Sequence, residues 1–540
     1  MSTVTLRPWQ RAAFELFRAS PGPDFLAVAT PGAGKTTLAL VAARQELAAT
    51  RAHRIVVVAP THHLKTQWAD AAEDLDLHLE TAWSPRDGRI PADTHGLVTT
   101  YQQVAGNVAA FTSMAHEAFV VLDEVHHAGN ERAWGEAVSV AFAGARVRLC
   151  LSGTPFRSDT LAIPFVRYDP DGVARPDVEY GYGDALSDRS VVRPVRFPRV
   201  GGEMEWIDPD GSHARASFED ALDLARSARR LRTALSPDGD WLPHVLGRAH
   251  RQLVDIRRTH PGAGGLVIAI DQEHARAVAE LLRRRTGVAP ALVVSEDPGA
   301  SRRIAAFTHA TDPWLVAVRM VSEGIDIPRL RVGVFATTTT TELFFRQAVG
   351  RLVRWTRGLG GQSSYMFIPD DPRLRAHALA IATQRRHCLR RDDSDGEAGQ
   401  IGPHEEARLG PPDEQLSLFS AISAVAVGDP DVHRVEDGLP PLPRPAREDE
   451  GVLVDLAPLP PTAAGPTEGV ARPGRMREYR QSLRETNAGL TRRIARLTGL
   501  SHAQVNGELN RRVGLERVSE ATISQLERRR DHASTWLRTA

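Results

Sequence analysis

Ala29-Thr30-Pro31-Gly32-Ala33-Gly34-Lys35-Thr36 is the stretch on which the reading of this chain turns. It follows an apolar run at residues 25–29 and opens a helix-forming stretch, so the local pattern is strand, glycine-rich loop, helix. Such a loop aims backbone N–H groups at an anion, and the following helix N-terminus favours negative charge. Lysine occurs only twice among the 67 Lys+Arg residues, at Lys35 and Lys65. Where arginine has replaced lysine almost everywhere, Lys35 is retained at the position where a compact ammonium must reach the β- and γ-phosphates of a nucleotide. A planar guanidinium would not fit that cradle. A chance glycine-rich turn would leave the lysine unexplained. Thr36 is placed to offer its hydroxyl to Mg²⁺.

Outward from this loop the chain alternates. Apolar β-rich runs at 25–29, 55–59, 97–99, 119–122 and 147–151 are separated by stretches able to form helices, the pattern of a parallel α/β sheet. Residues 217–258 read as helical. A second series follows, with runs at 266–270, 292–294, 315–318, 332–336 and 365–368. The pattern predicts two α/β lobes with a helical insertion between them.

Two further segments carry chemistry. Val120-Val121-Leu122-Asp123-Glu124-Val125-His126 is an apolar strand ending in two carboxylates. Asp123 is expected to hold Mg²⁺, Glu124 to orient and deprotonate an attacking water, and His126 to couple the nucleotide to the rest of the lobe. Gln347 and Gly350-Arg351-Leu352-Val353-Arg354 are expected on a helix beginning near Thr341. On a helix, Arg351 and Arg354 would share a face and reach one anionic target, the γ-phosphate in its transition state. In isolation, an arginine-rich solvated face is the better reading. Ser152-Gly153-Thr154 closes the next strand with small hydroxyl residues suited to relaying the state of that phosphate.

The order of these segments resembles the superfamily 2 helicases and translocases over about residues 5–370. Leu6-Arg7-Pro8-Trp9-Gln10 looks like the entry motif, whose glutamine reads adenine. Residues 29–36 resemble motif I, and Ala59-Pro60-Thr61 with Leu64, Gln67 and Trp68 resembles motif Ia. Val98-Thr99-Thr100-Tyr101 resembles the next strand-contacting motif, and Asp123–His126 a DEVH form of motif II. Ser152-Gly153-Thr154 is similar to motif III and residues 267–271 to the start of motif IV. Val321-Ser322-Glu323-Gly324-Ile325-Asp326-Ile327-Pro328 resembles motif V, and Gln347 to Arg354 motif VI. The resemblance implies tandem RecA-like lobes with ATP and Mg²⁺ between them. It implies nucleotide contacts from Gln10, Thr30, Pro31, Gly32, Ala33, Gly34, Lys35, Thr36, Thr37, Gly324 and Asp326. It implies contacts to a nucleic-acid strand from Thr61, Lys65, Thr99, Thr100, Ser322 and the Glu323 backbone. For Lys65 an exposed helix lysine is the plain alternative. The Leu-Arg-Pro-aromatic-Gln start, the Gly-Thr-Pro of motif III and the form of motif V look closest to the motors of type III restriction enzymes and related DNA-repair helicases. DEAD-box RNA helicases carry Asp-Glu-Ala-Asp and Ser-Ala-Thr, so DNA is favoured over RNA by analogy.

The remainder is bounded by composition. The 540 residues carry zero formal net charge, so any nucleic-acid surface must be local. Two cysteines, Cys150 and Cys388, build neither a disulfide framework nor a zinc cluster. No run approaches 18 consecutive apolar residues, so a membrane partner is not expected and a cytoplasmic enzyme is. Residues 391–470 hold 17 Asp+Glu against 5 Arg, with clustered prolines, which predicts a flexible acidic linker with an apolar docking segment at 415–427. Residues 471–540 hold 15 Arg against 7 Asp+Glu and read as a small basic helical domain, with a turn at Thr498-Gly499-Leu500 and Ser501 as N-cap. Nucleic-acid anchoring and docking of a protein partner suit it equally. With no lysine after Lys65, a lysine-dependent restriction-type nuclease centre cannot be assembled downstream. The expected domains are therefore 1–190 (first lobe), 191–390 (second lobe, insertion at about 217–258), 391–470 (linker) and 471–540 (C-terminal domain). The expected activity is a nucleic-acid-stimulated ATPase that moves along or unwinds DNA. An ATP-gated DNA-binding scaffold and an RNA helicase are the alternatives.

Overall fold

A computed structural model describes residues 3–126, 132–153, 162–170, 172–188, 191–294, 299–318, 327–356, 358–360, 362–390, 420–425, 452–460 and 475–539. The chain divides into two compact units. The first comprises Met1–Val28, Gly34–Glu179 and Glu450–Ala540; the second comprises Ala29–Ala33 and Tyr180–Asp449.

The first unit is built on a seven-stranded sheet in the order Leu79–Glu80, Gly96–Thr100, Arg54–Ala59, Ala118–Leu122, Val147–Ser152, Asp24–Ala29, Val178–Tyr180. From Leu79–Glu80 through Asp24–Ala29 every neighbouring pair is parallel. The central strands read RIVVVA and AFVVL and are buried almost throughout, as strands covered on both faces must be. The register sets Val28 beside Ser152 and Leu122 beside Cys150, so the glycine-rich loop and the Asp123-Glu124 pair emerge at the same carboxyl edge of the sheet. That edge is where open α/β sheets place their ligands.

The second unit holds another parallel sheet. Its order is Arg199–Val200, Ser364–Pro369, Leu330–Ala336, Gly264–Ala269, Trp314–Val318, Ala291–Val293, with Val195–Arg196 also pairing with Ser364–Pro369. The two sheets give the tandem RecA-like α/β architecture that the sequence implied. The helical insertion is present as Leu224–Ala234 and Trp241–Thr259. It packs with an antiparallel sheet of His213–Ser217, Glu203–Ile207 and Ser420–Val425 around Met204, Trp206, Phe218 and Trp241.

One expectation about the C-terminal third is corrected. Residues 391–470 are not linker throughout. Ser420–Val425 is the third strand of the small sheet, pairing with Glu203–Ile207, and Val452–Asp455 pairs antiparallel with Thr3–Leu6, register Thr3 to Asp455. Ser420–Val425 falls within the apolar segment 415–427 expected to dock, whereas VLVD is a short β-prone run that the acidic composition around it masked. The C-terminal domain clusters with the first unit. Its three helices, Met476–Thr498, His502–Val513 and Ile523–Thr539, are punctuated as the sequence predicts. Gly499 ends the first helix with φ 72°, and Ser501 forms a capping box with Gln504. Inside them Arg529 is 1% exposed and donates to three amide oxygens, of Asn510 (3.0 Å), Asn487 (3.0 Å) and Asn506 (2.6 Å).

Candidate nucleotide and nucleic-acid site

The helix Lys35–Ala48 starts directly after the glycine-rich loop, with Gly34 in the left-handed region at φ 92°. Glycine is required there twice over. The dihedral disfavours other residues, and a Cβ would lie 2.5 Å from the Gln10 amide nitrogen. Gln10 braces the loop. It donates from Nε2 to the Gly34 carbonyl (2.8 Å) and accepts the Arg7 backbone N–H at Oε1 (2.8 Å). The residue expected to read adenine therefore also fixes the phosphate cradle.

The Lys35 ammonium lies 3.4 Å from Glu124 Oε1. Glu124 has a positive φ of 46°, a strained position for a non-glycine residue of the kind that collects at functional sites. Its Oε2 accepts the Gly153 backbone N–H (3.0 Å) and lies 3.6 Å from His126 Nδ1. His126 is buried, and its Nδ1 shares a hydrogen bond with Ser152 Oγ (3.0 Å). Lys35, Glu124, His126, Ser152 and Gly153 thus form one connected cluster, in which the second carboxylate of the acidic pair is tied to the end of the next strand.

Asp123 is held separately. Trp68 Nε1 donates to its Oδ2 (2.7 Å), and the Tyr101 hydroxyl donates to its backbone carbonyl (2.9 Å). Burial raises the Asp123 carboxyl to about 6. The Glu124 carboxylate pushes the same way, against the Trp68 hydrogen bond and the Lys35 charge. A carboxylate so disfavoured as an anion is one that a divalent cation would stabilise, so the donor set fits Mg²⁺ at Asp123, with Thr36 at the start of the adjacent helix. The roles of Trp68 and Tyr101 were not foreseen. Both stood inside strand-contacting motifs, and sequence gives no sign that their polar ends turn toward Asp123.

The residues expected on a nucleic-acid strand divide. Thr61 caps the helix His62–Glu73 without a side-chain capping bond, and its hydroxyl is buried with no hydrogen-bond partner. Lys65, Thr99 and Thr100 are turned inward, at 5%, 4% and 3% exposure, so Lys65 is not the exposed helix lysine of the plain alternative. Lys65 Nζ donates to Gln103 Oε1 (3.0 Å), Thr99 Oγ1 donates to the same oxygen (3.2 Å), and Thr100 accepts the Gln103 N–H (3.2 Å) to cap the helix Tyr101–Ala105. Ser322, Glu323, Gly324 and Asp326 lie outside the described residues, as does Thr154.

Arg351 and Arg354 do not share a helix, as was expected. The helix Glu342–Gly350 begins after Thr341, carries the half-buried Gln347, and stops with Arg351 as its C-cap. Leu352 and Val353 are buried, Val353 accepts the Arg193 N–H (2.7 Å), and Arg354 forms a bridge with Val192. That pairing pulls the chain into extended form before another helical turn can close. Ala29–Ala33 cluster with this second unit. A Cβ on Gly32 would lie 3.0 Å from Arg354 Cδ, and one on Gly350 2.6 Å from Pro31 Cγ.

Comparison with known proteins follows the same lines. The family described as Type III restriction enzyme, res subunit, matches residues 3–157. The uncharacterized protein Rv2917 of Mycobacterium tuberculosis (strain ATCC 25618 / H37Rv) is 44% identical over 414 residues, 76% of this chain and 66% of its own length. The uncharacterized protein ML1624 of Mycobacterium leprae (strain TN) is 42% identical over 428 residues, 78% of this chain and 71% of its own. The chain therefore spans 66% of the length of the tuberculosis relative. Among solved structures, a fragment of a putative HsdR subunit of a type I restriction enzyme from Vibrio vulnificus YJ016 is similar at a TM-score of 0.48 and 18% identity, over 68% of this chain and 65% of that one.

Proposed function

We propose, for a chain that belongs to the family of these mycobacterial proteins and to the superfamily 2 helicases on the side of the restriction-enzyme motors, a nucleic-acid-stimulated ATPase that translocates on or unwinds DNA. The observation that carries the reading is the cluster of Lys35, Glu124, His126, Ser152 and Gly153 at the carboxyl edge of a parallel sheet. The loop N–H groups and Lys35 would receive the phosphates of ATP. Thr36 and Asp123 would hold Mg²⁺, and Thr37 would join the loop in contacting the nucleotide. When bound, that ion would neutralise charge developing on the phosphoryl oxygens. Glu124 would take the proton of the attacking water. Its present ties to Lys35 and Gly153 hold the carboxylate in place, and phosphate binding would draw Lys35 toward the nucleotide and free the Glu124 lone pair for water. His126 and Ser152 would report that change to the end of the neighbouring strand. Arg351 and Arg354 are proposed to meet the γ-phosphate in its transition state.

DNA is proposed over RNA because Asp123 to His126 and Ser152 to Thr154 depart from the RNA-helicase patterns and the matching family is described as a restriction enzyme subunit. The grip would be mainly phosphate contact, hence sequence-independent and salt-sensitive. A cytoplasmic setting follows from such a substrate. The test is ATP turnover at fixed salt with single-stranded, duplex and forked DNA and with RNA, alongside strand displacement. Stimulation by DNA above RNA is expected. Stimulation without displacement would leave a translocase or an ATP-gated scaffold, and no stimulation by any of the four would remove the motor reading.

A further inference from the structure

The helix His62–Glu73 has Thr61 at its start and faces the C-terminal domain with its last turns. Arg477 donates from Nη2 to Asp70 Oδ1 (2.9 Å) and from its backbone N–H to Glu73 Oε1 (2.9 Å), and Arg475 lies 3.4 Å from Asp70. Arg480 and Asp93 pair at 2.9 Å with side chains only 7% and 9% exposed, and Asp93 also accepts the Ile523 N–H (2.9 Å). Arg484 donates from Nη2 to Glu80 Oε2 (3.2 Å), while Glu80 Oε1 accepts the N–H groups of Thr81 (3.1 Å) and Ala82 (3.1 Å). Four of the fifteen arginines that gave the C-terminal domain its basic character are thus engaged by carboxylates of residues 70–93.

One of these contacts continues inward. Glu80 is the counter-charge that acts on the buried Lys65 ammonium, which burial pushes below its ordinary value. Lys65 donates to Gln103 Oε1, and that oxygen also accepts from Thr99 Oγ1 and from the Thr100 N–H (3.2 Å). A buried ammonium is costly without a nearby anion, and a glutamine oxygen receiving three donors has no slack. Glu80 also lies opposite Leu97 in the strand pair that runs on to Thr99 and Thr100, so a displaced Glu80 bears on the strand that delivers the cap of the helix Tyr101–Ala105.

We propose that the C-terminal helical domain is a built-in clamp that positions the nucleic-acid grip of the first unit, acting from Arg484 through Glu80 and the strand Gly96–Thr100 on the helix capped by Thr100, and from Arg477 through Asp70 on the helix led by Thr61. The proposal rests on the reading above, that these two helix openings meet a nucleic-acid strand. Arg484, Glu80, Arg477 and Asp70 are positioning residues, and they touch none of Lys35, Asp123 or Glu124. Trp68 and Tyr101, which bond Asp123, lie on the same two helices, so the domain is expected to shift affinity for the strand more than DNA-free turnover.

The test uses the full chain with Arg484→Ala, Arg484→Lys, Glu80→Gln and the Arg484→Ala/Glu80→Gln double variant. The readouts are the concentration of a single-stranded DNA oligonucleotide giving half-maximal ATPase, the turnover without DNA and the KM for ATP. Arg484→Ala is expected to raise the half-saturating DNA concentration about five- to tenfold, the usual size of coupling between sites, with DNA-free turnover and ATP KM held within about twofold. Arg484→Lys should recover part of the loss, and the double variant should be no worse than the poorer single one. Arg517→Ala removes a different seam contact, to the Arg86 carbonyl (2.7 Å), and should leave the DNA response unchanged. Parallel loss of DNA-free turnover in both Arg484 variants, or an equal shift from Arg517→Ala, would overturn the route through Glu80. If the unmodified chain responds to DNA and the variants respond identically, the clamp alone falls. If the unmodified chain hydrolyses ATP but ignores every nucleic acid, the motor reading falls and takes the clamp with it.

Discussion

Glu124 shows how one residue can be read twice. Its place after Asp123 gave it a chemical role from sequence, but its left-handed backbone and its ties to Lys35 and the Gly153 N–H are visible only in three dimensions. Glu124→Gln keeps the shape and removes the base. It is expected to bind ATP with near-normal affinity while turnover falls about 10²- to 10⁴-fold, checked by nucleotide binding alongside steady-state hydrolysis. Normal turnover in that variant would reassign the base. Trp68→Phe tests the unforeseen partner of Asp123. Losing a hydrogen bond to a charged group, worth about 1.5–3 kcal/mol, should raise the Mg²⁺ concentration for half-maximal turnover roughly tenfold or more. The phenyl ring fills only part of the buried indole's space, so a change in thermal stability larger than the change in Mg²⁺ response would mark Trp68 as mere packing. Loop and acid pair were legible because their chemistry is local in sequence. The Trp68 contact was not, because hydrogen bonds across a sheet leave no periodicity.

Elements were legible where burial imposed a pattern and illegible where pairing was remote. The run at 55–59 became Arg54–Ala59 and that at 332–336 became Leu330–Ala336, since strands covered on both faces must be continuous apolar runs. The helix after Thr341 was found, but its end at Gly350 was missed because the bridge between Val192 and Arg354 that stops it lies far off in sequence. The segment leading into the strand Gly96–Thr100 carries a further prediction. His95 Nδ1 accepts the His78 N–H (2.9 Å), so protonating that nitrogen breaks the bond. Burial first, then the charges of His78, Arg54 and Arg44, hold the imidazole down to about 4 from 6.5. Because the folded value lies below the unfolded one, the unfolded chain takes up the proton first as pH falls. Stability from this group is complete above about pH 6.5 and is lost progressively toward pH 4, by about 3 kcal/mol. Denaturant midpoints measured across that range should fall less steeply for His95→Gln than for the unmodified chain. In the C-terminal helices, Arg529→Ala leaves three buried amide oxygens without their donor and should cost about 3 kcal/mol or more, read as an early thermal transition.

For the whole molecule, charge counting leaves the partner of the C-terminal domain open. The excess of arginine over acid in residues 471–540 invited a nucleic-acid anchor, yet composition cannot say whether an arginine faces phosphate or a carboxylate of its own chain. Here Arg475, Arg477, Arg480 and Arg484 face Asp70, Asp93 and Glu80. Ending the chain at residue 449 would strip Val452–Asp455 from Thr3–Leu6 and uncover this acidic face together with a strand edge. The truncated protein is expected to aggregate, or to unfold at least several degrees lower, by light scattering and thermal melts. A soluble truncation of unchanged melting temperature would show that the seam adds nothing to the first unit.

The pairing of Thr3 with Asp455 also sets an order of events at the ribosome. The first unit receives its opening strand early in synthesis but its matching strand and its three helices only after the whole second unit has emerged. The nascent first lobe must wait, with an edge unpaired and a carboxylate-rich face bare, while some 270 residues are added. Refolding of the whole chain should also show a late phase in which residues 475–539 gain hydrogen-exchange protection after the central sheets, because their bonds to Glu73 and Glu80 close over 404 residues of chain.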